Sequence, residues 1–335
     1  MLRRHTFLSL LILLVFAFPL CLEPADSATF SGPSKAWKLA FVRSGDIWIA
    51  NGDGTGQHKI ISNGDVPCWS PNKTLIAFER NSNIWIAHAD GANQHAITHR
   101  WKPLKSDEGY IAGVEEIGIS WDKDLAIFYS HGRKLTTNPC PPESTEINMI
   151  PLRPLSPGLD LHLDYSEEGT TFAFSDHAYP AVSGSGNYCA FACNGDLWIA
   201  IRDQDKDSVP GWDLGRLKAV AEYDEGTNRA DKVDLGATHI SWSPDEHCLA
   251  YSLDRLTGSG LGEIHLLRIQ RGRGYTPTPQ SDRTICDVGT YPSFSPDGKW
   301  IAYWTPSTRP FSIRVMTSTG EKDRLLIDNG TSPAW

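Results

Sequence analysis

The sequence predicts an all-β protein in which one four-stranded antiparallel unit recurs along the chain. Three observations predict it. The first is the stretch 291–303, Tyr-Pro-Ser-Phe-Ser-Pro-Asp-Gly-Lys-Trp-Ile-Ala-Tyr, where two strand-like runs flank Ser295-Pro296-Asp297-Gly298. Proline pre-sets φ and glycine accepts positive φ, so this spacing suits a tight turn between antiparallel strands. The second is recurrence: PCWSPNKTLIAF at 67–78 and HISWSPDEHCLAY at 239–251 repeat the pattern, and 119–129 and 180–191 keep its rhythm without the Ser-Pro. The third is a landmark after each hairpin, Gly-Asp-Ile-Trp-Ile-Ala at 45–50, Ser-Asn-Ile-Trp-Ile-Ala at 82–87 and Gly-Asp-Leu-Trp-Ile-Ala at 195–200.

Each unit therefore offers four strands, a to d. The a strands are anchored at Trp69, Trp121, Val182, Trp242, Phe294 and Trp335. The first unit, from Lys38, lacks its opening strand, and the final Thr-Ser-Pro-Ala-Trp is an opening strand without a unit. Joining the two completes a six-bladed β-propeller of four-stranded antiparallel blades. The C-terminal strand then pairs into the N-terminal blade, which removes open sheet edges.

These repeats resemble those of the TolB-like β-propellers, also called PD40 or WD40-like repeats. The resemblance spans about residues 36–335; it is strong at 67–98 and 291–327, good at 239–270 and degenerate at 119–152 and 180–222. It implies a periplasmic role near the Tol–Pal envelope machinery. The amino-terminal domain that such proteins add before the propeller is not expected here, since few residues separate the leader from Trp37. The repeated residues are turn formers and packing groups, so they speak for fold more than for function.

Arg3 and Arg4 precede an apolar run from Phe7 to Leu20, followed by small residues. This pattern predicts a signal peptide over 1–28 and a propeller over 29–335, hence a periplasmic or secreted protein. Cys21 suggests a lipoprotein, but Leu20 is bulkier than a lipobox favours at that position, so this alternative is disfavoured. No other segment has the length of a membrane span. Acidic residues outnumber basic ones, 40 to 31, for a net charge of −9. That balance argues against a nucleic-acid partner, and a monomer is expected.

Without Cys21, six of the seven cysteines remain. Cys189 and Cys193 lie too far apart on one strand to bridge. Cys68, Cys189 and Cys248 occupy positions that sibling repeats fill with apolar residues, so buried free thiols are expected.

In a four-stranded meander, the d–a and b–c connections share one face and the a–b and c–d turns the other. The long connections 99–117, 131–145, 153–179, 222–238 and 252–262 are assigned to the d–a/b–c face, although 202–216 and 269–283 on the opposite face are long too. Long structured loops on a rigid scaffold are where function concentrates. These carry Glu115 and Glu116; His162, Asp164 and Tyr165; Asp176, His177 and Tyr179; and Asp224, Glu225, Arg229, Asp231 and Lys232. His131, Arg133, Arg255 and Arg309 lie in b–c connections. A solvated acidic surface explains most of them. The candidate binding residues are Tyr110, Glu116, His177, Tyr179, Arg229, His239 and Tyr291, at the loop face and funnel.

No nucleophile elbow, His-Glu-x-x-His motif, Walker loop or dinucleotide fingerprint is present. Ser183-Gly184-Ser185-Gly186 aligns with the hairpin turn, and Trp48, Trp85 and Trp198 share a repeat position that suits packing between blades. No catalytic residue, metal or cofactor is assigned. The expected function is non-enzymatic binding of a protein or envelope polymer. The alternative is a polysaccharide lyase or hydrolase with a funnel metal held by His162, His177 or His239.

Overall fold

The hairpin turn is the local unit from which the fold is built. In the computed structural model, Ser295 Oγ donates to Asp297 Oδ1 (2.7 Å) and accepts from the N–H of Trp300 (3.0 Å), while Gly298 N donates to the carbonyl of Ser295 (2.9 Å). Ser243 with Asp245 and Ser70 with Asn72 build the same turn. The serine hydroxyl satisfies backbone groups that a reversing chain leaves unpaired, and the acid or amide orients that hydroxyl. Ser183 closes the equivalent turn through Gly186 N and Tyr188 O, so residues 183–186 are a turn and not a nucleophile elbow.

The structure describes residues 32–98, 105–106, 109–123, 125–135, 144–151, 172–174, 179–193, 196–202, 212–218, 234–255, 262–270, 278–305 and 310–335. The expected leader over 1–28, with Cys21, lies outside them. So do Cys140, His162, Asp164, Tyr165, Asp176, His177, Asp224, Glu225, Arg229, Asp231, Lys232 and Arg309. No helix among the described residues is long and apolar enough to cross a membrane.

Sheet I holds β1 (Lys38–Arg43), β2 (Asp46–Asn51) and β3 (His58–Ile61), and sheet II holds β4 (Asp65–Trp69), β5 (Leu75–Arg80), β6 (Asn83–His88) and β7 (His95–Ala96). Sheet III contains β8 (Lys105–Ser106), β9 (Gly109–Trp121), β10 (Ala126–Leu135), β11 (Ser144–Pro151) and β12 (Phe172–Phe174). Sheet IV contains β13 (Ala181–Val182), β14 (Tyr188–Cys193), β15 (Asp196–Arg202) and β16 (Trp212–Lys218). Sheet V contains β17 (Asp234–Trp242), β18 (Cys248–Arg255), β19 (Glu263–Gln270) and β20 (Thr278–Cys286). Sheet VI contains β21 (Thr290–Phe294), β22 (Trp300–Thr305), β23 (Ser312–Thr317) and β24 (Arg324–Asp328). The last strand, β25 (Thr331–Ala334), adds to sheet I beside β1, with Ala334 opposite Ala40. The fold is thus an all-β propeller of small antiparallel sheets, and the end of the chain supplies the strand that its beginning lacks.

Two expectations need correction. Sheet III has five strands, because β9 and β10 run far into segments expected to be connections and β8 pairs with the start of β9. Segment 153–179 is not a d–a connection either. Within it, β12 pairs with β11 as the fourth strand.

The core lies between the sheets. Each apolar cluster joins two neighbours: I with II, II with III, III with IV, IV with V, V with VI, and VI with I. Phe41, Phe78, Phe191, Tyr251 and Tyr303 occupy one repeat position and are buried. Trp48, Trp85 and Trp198 pack against these clusters, as expected of blade-to-blade packing. Among the described residues Cys68, Cys189, Cys248 and Cys286 are free thiols. Burial pushes the Cys68 thiol up to about 11 and Cys189 to about 12, so neither is a reactive thiolate near neutral pH.

The inner strands are tied to one another by a simple rule. Where the residue before the anchor is serine, its hydroxyl accepts the next anchor's backbone N–H: Ser120 from Val182 (2.8 Å), Ser241 from Phe294 (3.1 Å) and Ser293 from Trp335 (3.1 Å). In two other places the next anchor is tryptophan and its indole reaches the preceding strand's carbonyl. Trp121 Nε1 donates to Cys68 O (3.1 Å) and Trp242 Nε1 to Ala181 O (2.8 Å).

Candidate functional site

Three positions before the anchors stand Val66, Gly118, Tyr179, His239, Tyr291 and Ser332, and all but Ser332 line the funnel. Five of these have left-handed backbone, with φ of 43° at Val66, 69° at Gly118, 46° at His239, 54° at Tyr291 and 48° at Ser332. The ladder shifts register at the same places, between Asp65 and Cys68, Thr238 and Ser241, and Thr290 and Ser293. A bulge of this kind re-aims a side chain. The preceding sheet helps hold it, because Gly118 N donates to Glu79 Oε1 (2.9 Å) and Tyr291 N to Ser252 Oγ (3.1 Å). Left-handed backbone is costly for Val, His and Tyr, and such outliers mark places that the surrounding structure over-determines.

Sheet III departs from this pattern. Ser130 occupies the position of Ser252, yet its buried hydroxyl has no partner among the described residues, and Tyr179 is absent from the left-handed set.

The bulges gather three expected residues into one aromatic stack. The rings of His239 and Tyr291 stack with centroids 3.4 Å apart and planes 29° apart, and the Tyr179 ring lies 4.5 Å from that of His239 at a tilt of 38°. The row continues outward through Trp304, 6.1 Å from Tyr291, to Phe311 at 5.1 Å. Burial pushes the His239 imidazole down to about 3, so it is neutral at physiological pH, and its Nδ1 lies 3.0 Å from Thr238 Oγ1. The stack lines a cavity of ≈ 360 Å3 that is bounded by the inner ends of all six sheets. Pro67, Pro180, Pro292 and Pro333 form a second tier and the anchors a third. Among the described residues lining it there is no Asp, Glu, Lys or Arg.

Among the described residues lining the cavity, no carboxylate accompanies this neutral imidazole. Rigid rings and prolines instead offer contact area at small entropic cost. No group of three or more His, Cys, Asp or Glu able to hold a metal is present among the described residues.

Of the other expected residues, Tyr110 and Glu116 lie on β9, ahead of the Gly118–Trp121 stretch that reaches the funnel, with Lys105 and His131 as register partners. His177 and Arg229 fall outside the described residues. Trp304 and Phe311 were not anticipated; the shared position three residues before each anchor would have pointed to the ring that they extend.

Neither a protein-family model nor a curated protein sequence matches this chain. Solved structures do. TolB from Acinetobacter baumannii is 16% identical with a TM-score of 0.59, over 90% of this chain and 67% of that one. A protein of Bacteroides fragilis described as a 6-phosphogluconolactonase is 13% identical with a TM-score of 0.53, over 92% and 98%. A chain of the nidogen/laminin complex is 11% identical with a TM-score of 0.53, over 89% and 97%. At these identities the likeness establishes architecture: the chain is a β-propeller similar in fold to that of TolB.

Proposed function

We propose that residues 29–335 form a six-bladed propeller that is exported by the leader at 1–28. It acts in the periplasm or outside the cell as a monomeric, non-enzymatic scaffold, binding a protein or envelope polymer at the funnel mouth. The observation that carries this reading is the uncharged funnel, whose described lining is aromatic rings, prolines and small residues, centred on Tyr179, His239 and Tyr291. Six bladed units are supported by the core clusters, which pair the sheets in a closed cycle. The net charge of −9 disfavours nucleic acid as the partner.

The test is affinity capture from an envelope extract followed by calorimetry on the captured partner. The Tyr179→Ala/Tyr291→Ala pair should lose more than about 1 kcal/mol of binding free energy, as aromatic anchors do. Lys299→Ala, exposed beside the hairpin turn on the opposite face, should bind like the parent. Equal loss in both variants would remove the funnel from the interface. Turnover of a polysaccharide or lactone, abolished by His239→Ala, would replace binding with catalysis.

A further inference from the structure

A second cavity, of ≈ 570 Å3, opens between sheets V and VI on the side of the hairpin turns, away from the aromatic stack. One wall is the face of sheet V formed by β18, β19 and β20. In register, Cys248 stands opposite Arg268 and Arg268 opposite Ser281, while Leu266 stands opposite Arg283. Alternate residues of a strand share a face, so Arg268 and Arg283 are diagonal neighbours on adjacent strands, both lining the cavity.

Both side chains are exposed, so water screens their repulsion, and an anion held between them would bond to both. None is supplied by the described residues. Arg283 donates one bond, to the carbonyl of Thr319 (3.1 Å), and Arg268 makes no hydrogen bond or ion pair among them. In a chain of net charge −9, two adjacent cations without a carboxylate partner are conspicuous.

Of the two acids lining the cavity, Asp245 stands in the hairpin turn of sheet V and Asp297 in that of sheet VI, and each braces its own turn. Asp245 Oδ1 accepts from Ser243 Oγ (2.6 Å) and from the N–H of His247 (3.1 Å). Asp297 Oδ1 accepts from Ser295 Oγ (2.7 Å) and from the N–H of Lys299 (3.1 Å). Their work is to hold the hairpin turns. On the sheet V wall, the half-buried Cys248 has its thiol pushed up by burial and by Asp245, against the opposing pull of both guanidinium groups.

We propose that this cleft, which adjoins the funnel cavity at Ser243, Pro244 and Phe294, is a binding site for a small molecule whose carboxylate or phosphate group is clamped between Arg268 and Arg283. Guanidinium forks match the planar or tetrahedral oxygens of these groups, and a half-enclosed cleft strengthens the charge-assisted bonds. The hydroxyl of Ser281, on the same wall, is a third donor.

The test is calorimetric titration of the full chain with inorganic phosphate and, separately, with malonate, at constant ionic strength set by chloride. At least one should bind saturably, and which one does so separates the phosphate from the carboxylate reading. Arg268→Ala and Arg283→Ala should each weaken that binding tenfold or more, with Arg268→Ala leaving the melting temperature unchanged because its side chain is exposed. Tyr291→Ala, in the funnel, should bind the anion like the parent. As an independent measurement, the saturating anion should slow maleimide labelling of Cys248, with Cys248→Ser identifying that signal. Absence of saturable binding of either anion, or unchanged affinity in both arginine variants, would overturn the proposal.

Discussion

Sheets I and II solve with arginine a problem that sheets V and VI solve with tyrosine and aspartate. In the first two, a buried phenylalanine on the second strand of the blade faces a tryptophan on the third, Phe41 with Trp48 and Phe78 with Trp85. An arginine caps each pair: Arg43 lies 5.0 and 4.9 Å from the two ring centroids, and Arg80 lies 4.8 and 4.6 Å from its two. Each cap then reaches the preceding sheet's last corner. Arg43 donates to the carbonyls of Asp328 and Asn329, and Arg80 to those of Ser62 and Asn63. A glutamine completes each clamp, Gln57 joining Arg43 to Gly54 O and Gln94 joining Arg80 to Gly91 O.

In sheets V and VI the same position holds Tyr251 facing His265 and Tyr303 facing Arg314. Their hydroxyls donate inside the blade, to Asp282 (3.1 Å) and Asp323 (2.7 Å). Leu253 and Thr305 stand where Arg43 and Arg80 stand in the first blades. The contrast teaches that a cation two residues after the buried ring fastens one sheet to the previous one. A tyrosine–aspartate bond fastens a sheet to itself.

The largest expected effect comes from the joint between sheets VI and I. Trp335, 6% exposed, packs there with Leu39, Phe41 and Ile327, and its carbonyl accepts from Lys73 Nζ (2.8 Å). Trp335→Ala should cost about 3–5 kcal/mol, measured by urea denaturation. An unchanged midpoint would mean that this joint is not part of the cooperative ring.

Next comes Gly91, at φ +84°, where an added Cβ would stand 2.2 Å from the Ile60 carbonyl oxygen of the preceding sheet. Gly91→Ala should cost about 2–3 kcal/mol from strain plus clash. Gly45→Ala, at φ +77° with nothing within 4 Å, should cost about 1 kcal/mol from the backbone alone. Similar losses at the two glycines would show that sheet-to-sheet contact is not what demands glycine at position 91.

The clamps themselves follow. Arg80→Met keeps stem packing but removes the guanidinium, for a loss of about 1–2 kcal/mol. Tyr303→Phe should lose about 1 kcal/mol. A double-mutant cycle between Arg80 and Gln94 should show coupling, and one between Arg80 and Tyr303 none.

The smallest effect at neutral pH belongs to His239. Its folded pKa is depressed, so the unfolded chain binds the proton more readily than the folded one. Its contribution is complete above the ordinary histidine value and is lost as pH falls from about 6.5 toward its folded value of about 3. Compared with His239→Asn, the parent melting temperature should fall more steeply across that window, and the two should run parallel from pH 7 to 9. A parallel decline below pH 6 would show that the imidazole is not desolvated.

Much of the architecture was legible because its causes are local. Ser-Pro-Asp-Gly turns are dictated by φ preferences and a serine hydroxyl, and they recur without help from distant residues. The closing strand was legible because an unfinished unit at each end has one complement. The extended β9 and β10 were not. Glu115, Glu116, His131 and Arg133 break the apolar alternation by which a strand is recognised, although ladder bonds carry them all the same. The fourth strand of sheet III, Phe172–Phe174, was hidden for a related reason, since three residues are too few to show a period.

By itself, then, the sequence determined the repeat, the turns, the order of strands within most blades and the apolar face of each, all encoded over short distances. Only the tertiary structure decided the site. Val66, Tyr291 and Ser332 each precede a proline, a place that ordinarily favours extended backbone, yet their φ is positive. At Tyr291 the cause is a bond from its N–H to Ser252 in the preceding sheet. The stacking of Tyr179, His239 and Tyr291 likewise joins residues from three different sheets. Contacts between sheets form only when the blades stand side by side, and no local pattern can specify them.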